Sequence, residues 1–303
     1  MFSEIKEMPL RAQDFLRNTK KFTLPLGVPY IGMGSSYFAP LCFKYMGMDI
    51  YPEMASEFFN YLHPVKKWPT AVLLSQSGKS SEVLWCSSLF EQYTAITNDS
   101  SSPLAANAAN VIQLQSGEEK YSSSKTYLNT LLALFTGFGI DVKDTVALLQ
   151  KKVAAYEAQG RQMAEEIYTL LQAGKVNGLY ITGSGPNVGT ALQAALIMSE
   201  TTKLPFNGMA LAQYDHGPKE TANNSIIINI LSEGKSYDRT KKLAASLQAA
   251  GARVFTVEEP AVTEDQSVIP NIVVFNYLSY YLSQKLGIAD IFVVGGKVTE
   301  VEA

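Results

Sequence analysis

Histidine and cysteine are scarce: the 303 residues hold two of each, His63 and His216, Cys42 and Cys86. So few ligands give no metal-binding spacing, and both cysteines lie in apolar stretches that read as buried. Structural zinc and a disulfide framework are therefore excluded, and no metal is expected. Positive charge is not in excess either. Against 28 Asp+Glu stand 25 Lys+Arg, a net charge of -3, so no basic field exists to collect nucleic acid. Apolar runs fall short of the roughly 18 to 20 residues that cross a bilayer. The first residues mix charges where an export signal would be apolar, so neither membrane nor secretion is expected and the cytoplasm is the expected location. What is present is an ordinary globular composition, 47% hydrophobic and 17% charged. It excludes disorder and a coiled coil, and the length allows one large domain or two of about 150 residues.

The stretch from Phe2 to about Leu16 reads as a helix with a proline near its middle, an arm over residues 1–24 or a capping element, and not core. Alternation of strand and helix then begins. Val28 to Ile31 is a strand, Gly32 to Ser36 a turn and Tyr37 to Tyr45 a helix; Ala71 to Leu74 is a strand, Ser75 to Ser80 a turn and Ser81 to Gln92 a helix. Strands at Tyr93 to Thr97 and Val111 to Leu114 follow, then a helix from about Ser122 to Phe135. Strands separated by helix-length segments signal a parallel sheet covered by helices on both faces. Residues 141–173 carry apolar side chains at helical spacing and read as one or two surface helices connecting two halves. The pattern then restarts, with a strand at Leu179 to Thr182, the turn Gly183-Ser184-Gly185, a helix from Gly189 to Glu200 and a strand from Ser225 to Leu231. The first strand and turn of each half match, as do Ser75 to Ser80 and Ser232 to Ser236. A degenerate duplication is expected: an α/β fold of two tandem flavodoxin-like lobes, residues 25–140 and 174–303, with functional edges at the strands' carboxyl ends.

Ser75-Gln76-Ser77-Gly78-Lys79-Ser80 falls where a parallel strand turns into a helix, so backbone N–H groups and hydroxyls converge on one spot suited to a phosphate. Ser77 or Ser80 alone would be read as a helix cap. A second such turn, Gly34-Ser35-Ser36, at the same edge favours an anion site. In the second half, Glu233 puts a carboxylate in the corresponding turn, so only the first lobe is expected to bind phosphate. Gly183 to Gly189 has the wrong spacing for a dinucleotide fingerprint, and no nucleotide or other cofactor is expected. Glu200 closes an apolar helix, and His216 precedes Gly217-Pro218. Alone, Glu200 reads as a solvated helix end, and His216 reads equally as a satisfied loop histidine and as a functional one.

Together, Gly34-Ser35-Ser36-Tyr37, Ala55-Ser56-Glu57-Phe58, Ser75 to Ser80, Ser122-Ser123-Ser124-Lys125, the Glu200 to His216-Gly217-Pro218 spacing and Lys297-Val298-Thr299 resemble the sugar isomerase (SIS) domain family in its tandem form. The likeness is to the isomerase half of glutamine:fructose-6-phosphate amidotransferase and to stand-alone glucosamine-6-phosphate deaminases and fructosamine-6-phosphate deglycases. It runs from about residue 25 onward. The resemblance implies that Ser35, Ser36, Ser75, Gln76, Ser77 and Ser80 cradle a sugar phosphate and that Ser123 contacts sugar hydroxyls. It implies further that Glu200 moves a proton between C1 and C2, that His216 opens the ring, and that Lys297 lies near the substrate carbonyl. In that family the histidine is lent by a neighbouring subunit, which implies a homodimer with shared sites.

Two departures bear on the activity. Only a short helix precedes the first lobe, so glutamine-dependent synthesis is not expected. The amidotransferase has a lysine three residues before its glutamate and a glutamate three before its histidine, where this chain has Ile197 and Gln213. The expected function is therefore a phosphosugar isomerase or deaminase acting on an amino-sugar 6-phosphate. A deglycase releasing an amino acid, and a phosphosugar sensor without turnover, are the alternatives.

Overall fold

The computed structural model describes residues 1–174, 176–298 and 301. Thr299, singled out above with Lys297 and Val298, lies outside them. The elements run α1 (Phe2–Asn18), β1 (Pro29–Gly32), α2 (Ser35–Tyr45), β2 (Tyr51–Met54), α3 (Ala55–Glu57) continued by a π turn at Phe58–Leu62, β3 (Thr70–Leu74), α4 (Ser81–Ser87), β4 (Gln92–Thr97), α5 (Pro103–Ala106), β5 (Asn110–Gln113) and α6 (Lys125–Gly137). They continue with α7 (Lys143–Gln172), β6 (Leu179–Gly183), α8 (Asn187–Thr202), β7 (Asn207–Ala210), α9 (Leu211–Asp215), a 3-10 turn at Pro218–Thr221, β8 (Ile226–Leu231), α10 (Tyr237–Ala249), β9 (Arg253–Glu258) and α11 (Val268–Lys285).

Two compact units result. One comprises Glu7–Lys143 with Phe292–Ala303, the other Met1–Lys6 with Asp144–Ile291. The first holds a five-stranded parallel sheet in the order β2-β1-β3-β4-β5. This is the flavodoxin-like order, whose direction reverses between β1 and β3, and ligands of open α/β sheets bind outside the carboxyl ends of strands at such a reversal. The second unit's parallel sheet has the order β7-β6-β8-β9, with its reversal between β6 and β8.

The central strands of each sheet are buried on both faces, which is why β3 and β8 read as unbroken apolar runs. In the five-strand unit Ile31, Ala71, Leu73, Tyr93 and Ala95 pack with Val83 and Cys86 of α4 and Leu104 of α5. Side chains alternate along a strand, so Tyr30 on the other face meets Phe138, which in turn meets Phe43 of α2. In the four-strand unit Ile227 packs with Leu211, Tyr214, Leu243 and Leu247.

Four elements depart from expectation. The helix α4 ends at Ser87 and not at Gln92, which already opens β4. The α1 helix is more than an arm: Ile5, Met8, Ala12 and Phe15 are completely buried, a stripe at helical spacing that persists through Pro9. The connector is a single helix of 30 residues, α7, and not merely a surface one, because Leu149, Met163, Ala164 and Ile167 are buried. At Gly160 it runs so close to α11 that a Cβ there would lie 2.7 Å from the Leu278 amide nitrogen. Finally, α6 starts at Lys125, not Ser122, because Glu119 caps the helix there.

Candidate active site

In the five-strand unit β1 ends in Gly32, where a Cβ would sit 2.7 Å from the carbonyl carbon and oxygen of Ser36. Only glycine lets the first turn of α2 fold back this tightly. Gly34, at φ +50°, then sets Ser35 and Ser36 as the first residues of α2 at the sheet's reversal point. Ser75 to Ser80 follow β3 on the other side of that reversal. The Ser75 hydroxyl accepts from the Gly78 N–H at 3.1 Å and pairs with the Ser80 hydroxyl at 3.1 Å. Ser80 stands at the N-cap position of α4, yet its side chain makes no cap bond. The Ser77 hydroxyl accepts from the Lys79 N–H at 3.2 Å, a local turn bond.

Residues absent from the sequence reading hold this turn from behind. The Asn98 and Leu104 amides donate to Gln76 O and Gly78 O at 3.0 and 3.1 Å. A Cβ on Gly78, whose φ is +64°, would lie 2.0 Å from Ser102 Oγ, so the turn and the segment after β4 interlock through glycine.

Lys297 is half-buried in the same unit. Its ammonium donates to Glu119 O at 2.9 Å and Glu119 Oε2 at 3.0 Å. Glu119 is buried and also accepts from Ser124 N–H and Oγ, each at 3.0 Å, from Thr126 N–H at 3.2 Å and from the Thr126 hydroxyl. One carboxylate thus caps α6, fixes the loop that carries Ser123 and anchors Lys297. Four residues on, the Val301 N–H donates to Ser81 Oγ at 2.9 Å, beside Ser80. Lys125, next to Ser124, is 2% exposed and donates to Glu7 at 2.8 Å. That bond, with Arg11 assisting, holds the Glu7 carboxyl below the usual range. Burial and then Glu82 push the Cys86 thiol up to about 12, leaving it inert as a nucleophile.

The four-strand unit carries the other two candidates. Glu200 is half-buried in the last turn of α8, whose C-cap Lys203 is left-handed (φ 62°) and returns its ammonium to Glu200 O at 2.6 Å. His216 ends α9, exposed, with its N–H bonded to Ala212 O at 3.1 Å. The neighbouring Asp215 is held below the usual carboxyl range by Arg239 and Lys219, which donate at 2.9 and 3.0 Å. Ile197 is fully buried, so that position belongs to the core of α8, while Gln213 is exposed.

The fold therefore gathers Ser35, Ser36, Ser75, Gln76, Ser77, Ser80, Ser123 and Lys297 into one unit, and Glu200 and His216 into the other. One expectation is corrected. Glu233, expected to block the second unit's turn, is exposed, and the carboxylate against that turn belongs to Glu264: a Cβ on Gly234 would lie 2.3 Å from Glu264 Oε2. Among the described residues no group of three or more His, Cys, Asp or Glu could hold a metal, and no helix is long and apolar enough to cross a membrane.

No protein-family model matches the chain. Its sequence is 25% identical, over an alignment of 328 residues covering 95% of the chain, to glutamine--fructose-6-phosphate aminotransferase [isomerizing] of Methanothermobacter thermautotrophicus. It spans about half of that relative's length, 55%. Among solved structures, glucosamine-6-phosphate deaminase from Thermotoga maritima matches with a TM-score of 0.78 at 20% identity, covering 95% of each chain. The C-terminal domain of glucosamine-fructose-6-phosphate aminotransferase from Francisella tularensis matches with a TM-score of 0.74 at 18% identity, over 94% of this chain and 96% of that one. The chain has the α/β fold of these proteins.

Proposed function

We propose that the chain is a phosphosugar isomerase of the deaminase kind, acting on an amino-sugar 6-phosphate as one of two tandem-lobed SIS subunits. The observation that carries this reading is the serine-lined turn at the first sheet's reversal point, backed by the interlock of Gly78 with Ser102. In this reading Ser35, Ser36, Ser75, Gln76, Ser77 and Ser80 hold the phosphate, and Ser123 meets the sugar hydroxyls. His216 protonates the ring oxygen to open the sugar. Glu200 then removes the C2 proton of the open-chain aldose, giving an enolamine, and returns it to C1. The ketimine left at C2 takes up water and releases ammonia, so amino sugar plus water gives ketose plus ammonia. Lys297, anchored on Glu119, stabilises the developing charge on the carbonyl oxygen. The reaction needs no cofactor, and the protein works in the cytoplasm without nucleic-acid or membrane partners.

The exposed His216, on a turn whose backbone is already satisfied, is suited to reaching a neighbouring subunit, which supports a homodimer with shared sites. Mixing inactive Glu200→Gln subunits with inactive His216→Ala subunits should then regenerate activity; no recovery despite proven subunit exchange would put the site within one chain.

The function itself is tested by a panel of hexosamine and fructosamine 6-phosphates read as ammonia or amino acid released. Ammonia from a hexosamine 6-phosphate supports the deaminase; an amino acid from a fructosamine 6-phosphate makes the protein a deglycase, and binding without turnover makes it a sensor. On the substrate so identified, Glu200→Gln should bind normally yet turn over at least about 100-fold slower, since general base catalysis contributes about 10²- to 10⁴-fold. Solvent deuterium exchange at C1 or C2 should vanish with it.

A further inference from the structure

Helix α9 is five residues long, too short to hold its shape in water, so its seat comes from packing. Leu211 and Tyr214, one helical turn apart, form its inner side and are 1% and 0% exposed. The Tyr214 ring lies in one apolar cluster with Ile227 of β8 and with Leu243 and Leu247 of α10. From β6 the Tyr180 ring meets it at 4.9 Å between centroids. Tyr180 itself lies back over Gly178, where a Cβ would be 2.3 Å from its ring. The Tyr214 hydroxyl has no hydrogen-bond partner among the described residues. Burial, and then Tyr180, push it up to about 12, so it is neutral at pH 7. Tyr214 therefore acts through the shape of its ring and not through its hydroxyl.

Half a turn beyond Tyr214 the chain presents His216 on the opposite, exposed side. The far end of this loop is tied down as well. Tyr180 OH pairs with Thr221 Oγ1 at 2.9 Å, and Ala222, 2% exposed, enters the same cluster as Tyr214. Asp215 is bound by Arg239 and Lys219, but these three side chains are partly exposed and such surface pairs contribute little. Of these ties, the Tyr214 ring is the one that is both buried and within two residues of the histidine.

We propose that Tyr214 is a positioning residue: its ring, seated against β6, β8 and α10, fixes the backbone of His216, so that the imidazole is presented as a rigid prong. A prong already in place loses no backbone freedom on reaching a neighbouring subunit's site. The inference rests on the reading of His216 as the group that opens the sugar ring, and names what aims it.

The first test needs no activity. Labelling the full chain with 15N-histidine gives two backbone amides, His63 and His216, told apart by the loss of one in His216→Ala. The His216 amide should have an order parameter near the rigid value of about 0.85 in the parent and in Tyr214→Phe, which keeps the ring, and below about 0.6 in Tyr214→Leu. Asp215→Ala/Tyr180→Phe, which removes the surface ties and leaves the seat, should keep it rigid. A parent His216 amide as mobile as that of Tyr214→Leu overturns the proposal. So does a mobile His216 amide in Asp215→Ala/Tyr180→Phe, whose core is intact even if Tyr214→Leu does not fold. The second test separates aiming from general stability. In the mixture of Glu200→Gln and His216→Ala subunits, Tyr214→Leu should lower the regained activity at least about tenfold when carried by the Glu200→Gln subunit, which supplies the histidine, and less than about twofold when carried by the other. Tyr214→Phe should leave it within about twofold from either. Equal losses from the two placements overturn the proposal. A parent mixture that regains nothing removes the shared-site reading, and the amide measurement still decides this one.

Discussion

Glu119 gives a sharp prediction because its five donors differ in kind. Replacing it with glutamine keeps the volume and one oxygen, which can still accept from the Ser124 and Thr126 amides. The amide nitrogen then faces the Thr126 hydroxyl, which can rotate to accept, and the Lys297 ammonium, which cannot. The loss is one charge-assisted bond, about 1.5 to 3 kcal/mol, together with a weakening of the remaining bonds, since bonds to an ionised acceptor are roughly twice as strong as neutral ones. The sum is about 3 to 5 kcal/mol, because Glu119 itself is completely buried (0% exposed). Lys297→Ala removes the same ion pair from the other side. It leaves a carboxylate still satisfied by two amides and two hydroxyls, and its own side chain keeps 18% exposure, so the cost is about 1 to 1.5 kcal/mol. At roughly 2 to 4 °C per kcal/mol for units of this size, calorimetry at pH 7 should show the melting of the five-strand unit lowered by about 6 to 20 °C for Glu119→Gln and about 2 to 6 °C for Lys297→Ala. A Glu119→Gln protein melting within about 2 °C of the parent, or less destabilised than Lys297→Ala, would refute the assignment of Glu119 as the anchor.

Two further outcomes follow from the same unit. Ser75→Ala/Ser77→Ala should weaken binding of a sugar 6-phosphate at least tenfold in calorimetry, each lost donor to a charged oxygen being worth about 1.5 to 3 kcal/mol, whereas Ser232→Ala should change it little; equal losses from both would contradict a single open cradle. Glu7, held down first by its bond from Lys125, has a depressed carboxyl, so its stabilisation is present above the unfolded value near pH 4.3 and is lost as pH falls through the lower folded value. The denaturant stability gap between the parent and Glu7→Gln should therefore be about 2 to 3 kcal/mol at pH 7, reduced from the buried-pair range because Glu7 is partly exposed, and should close below about pH 4; a gap that widened in acid would reverse the sign.

The serine-lined turns were legible because their signal is local. A run of apolar residues ending in glycine and serine, followed by a helix, specifies both the turn and the place of its N–H groups within a dozen residues. Glu119 was not legible, since nothing in its neighbourhood distinguishes it from Glu118, which is exposed; its meaning comes from Lys297, 178 residues away. The carboxylate beside the second turn was assigned to Glu233, which lies within the turn and is exposed, because nothing local in the sequence shows that Glu264 reaches Gly234 from the segment after β9. In α1, Pro9 outweighed the stripe of Ile5, Met8, Ala12 and Phe15 in the reading, although one missing N–H costs less than burial of four side chains stabilises.

The return of residues 292–298 to the unit built by Glu7–Lys143 has a consequence for synthesis. All five strands of that sheet have been made by residue 113, and Glu119 follows at once, but its lysine is translated 178 positions later. At about 5 to 20 residues per second the interval is roughly 9 to 36 s, longer than secondary structure and most single-domain folding need. The nascent sheet must therefore stand with its buried acid lacking a cation and with the loop around Ser123 half anchored. Closing so long a loop costs entropy but little more than closing one half its length, so the delay is kinetic. A polypeptide still on the ribosome can therefore have its serine-lined turns complete before the ammonium that anchors on Glu119 has been made.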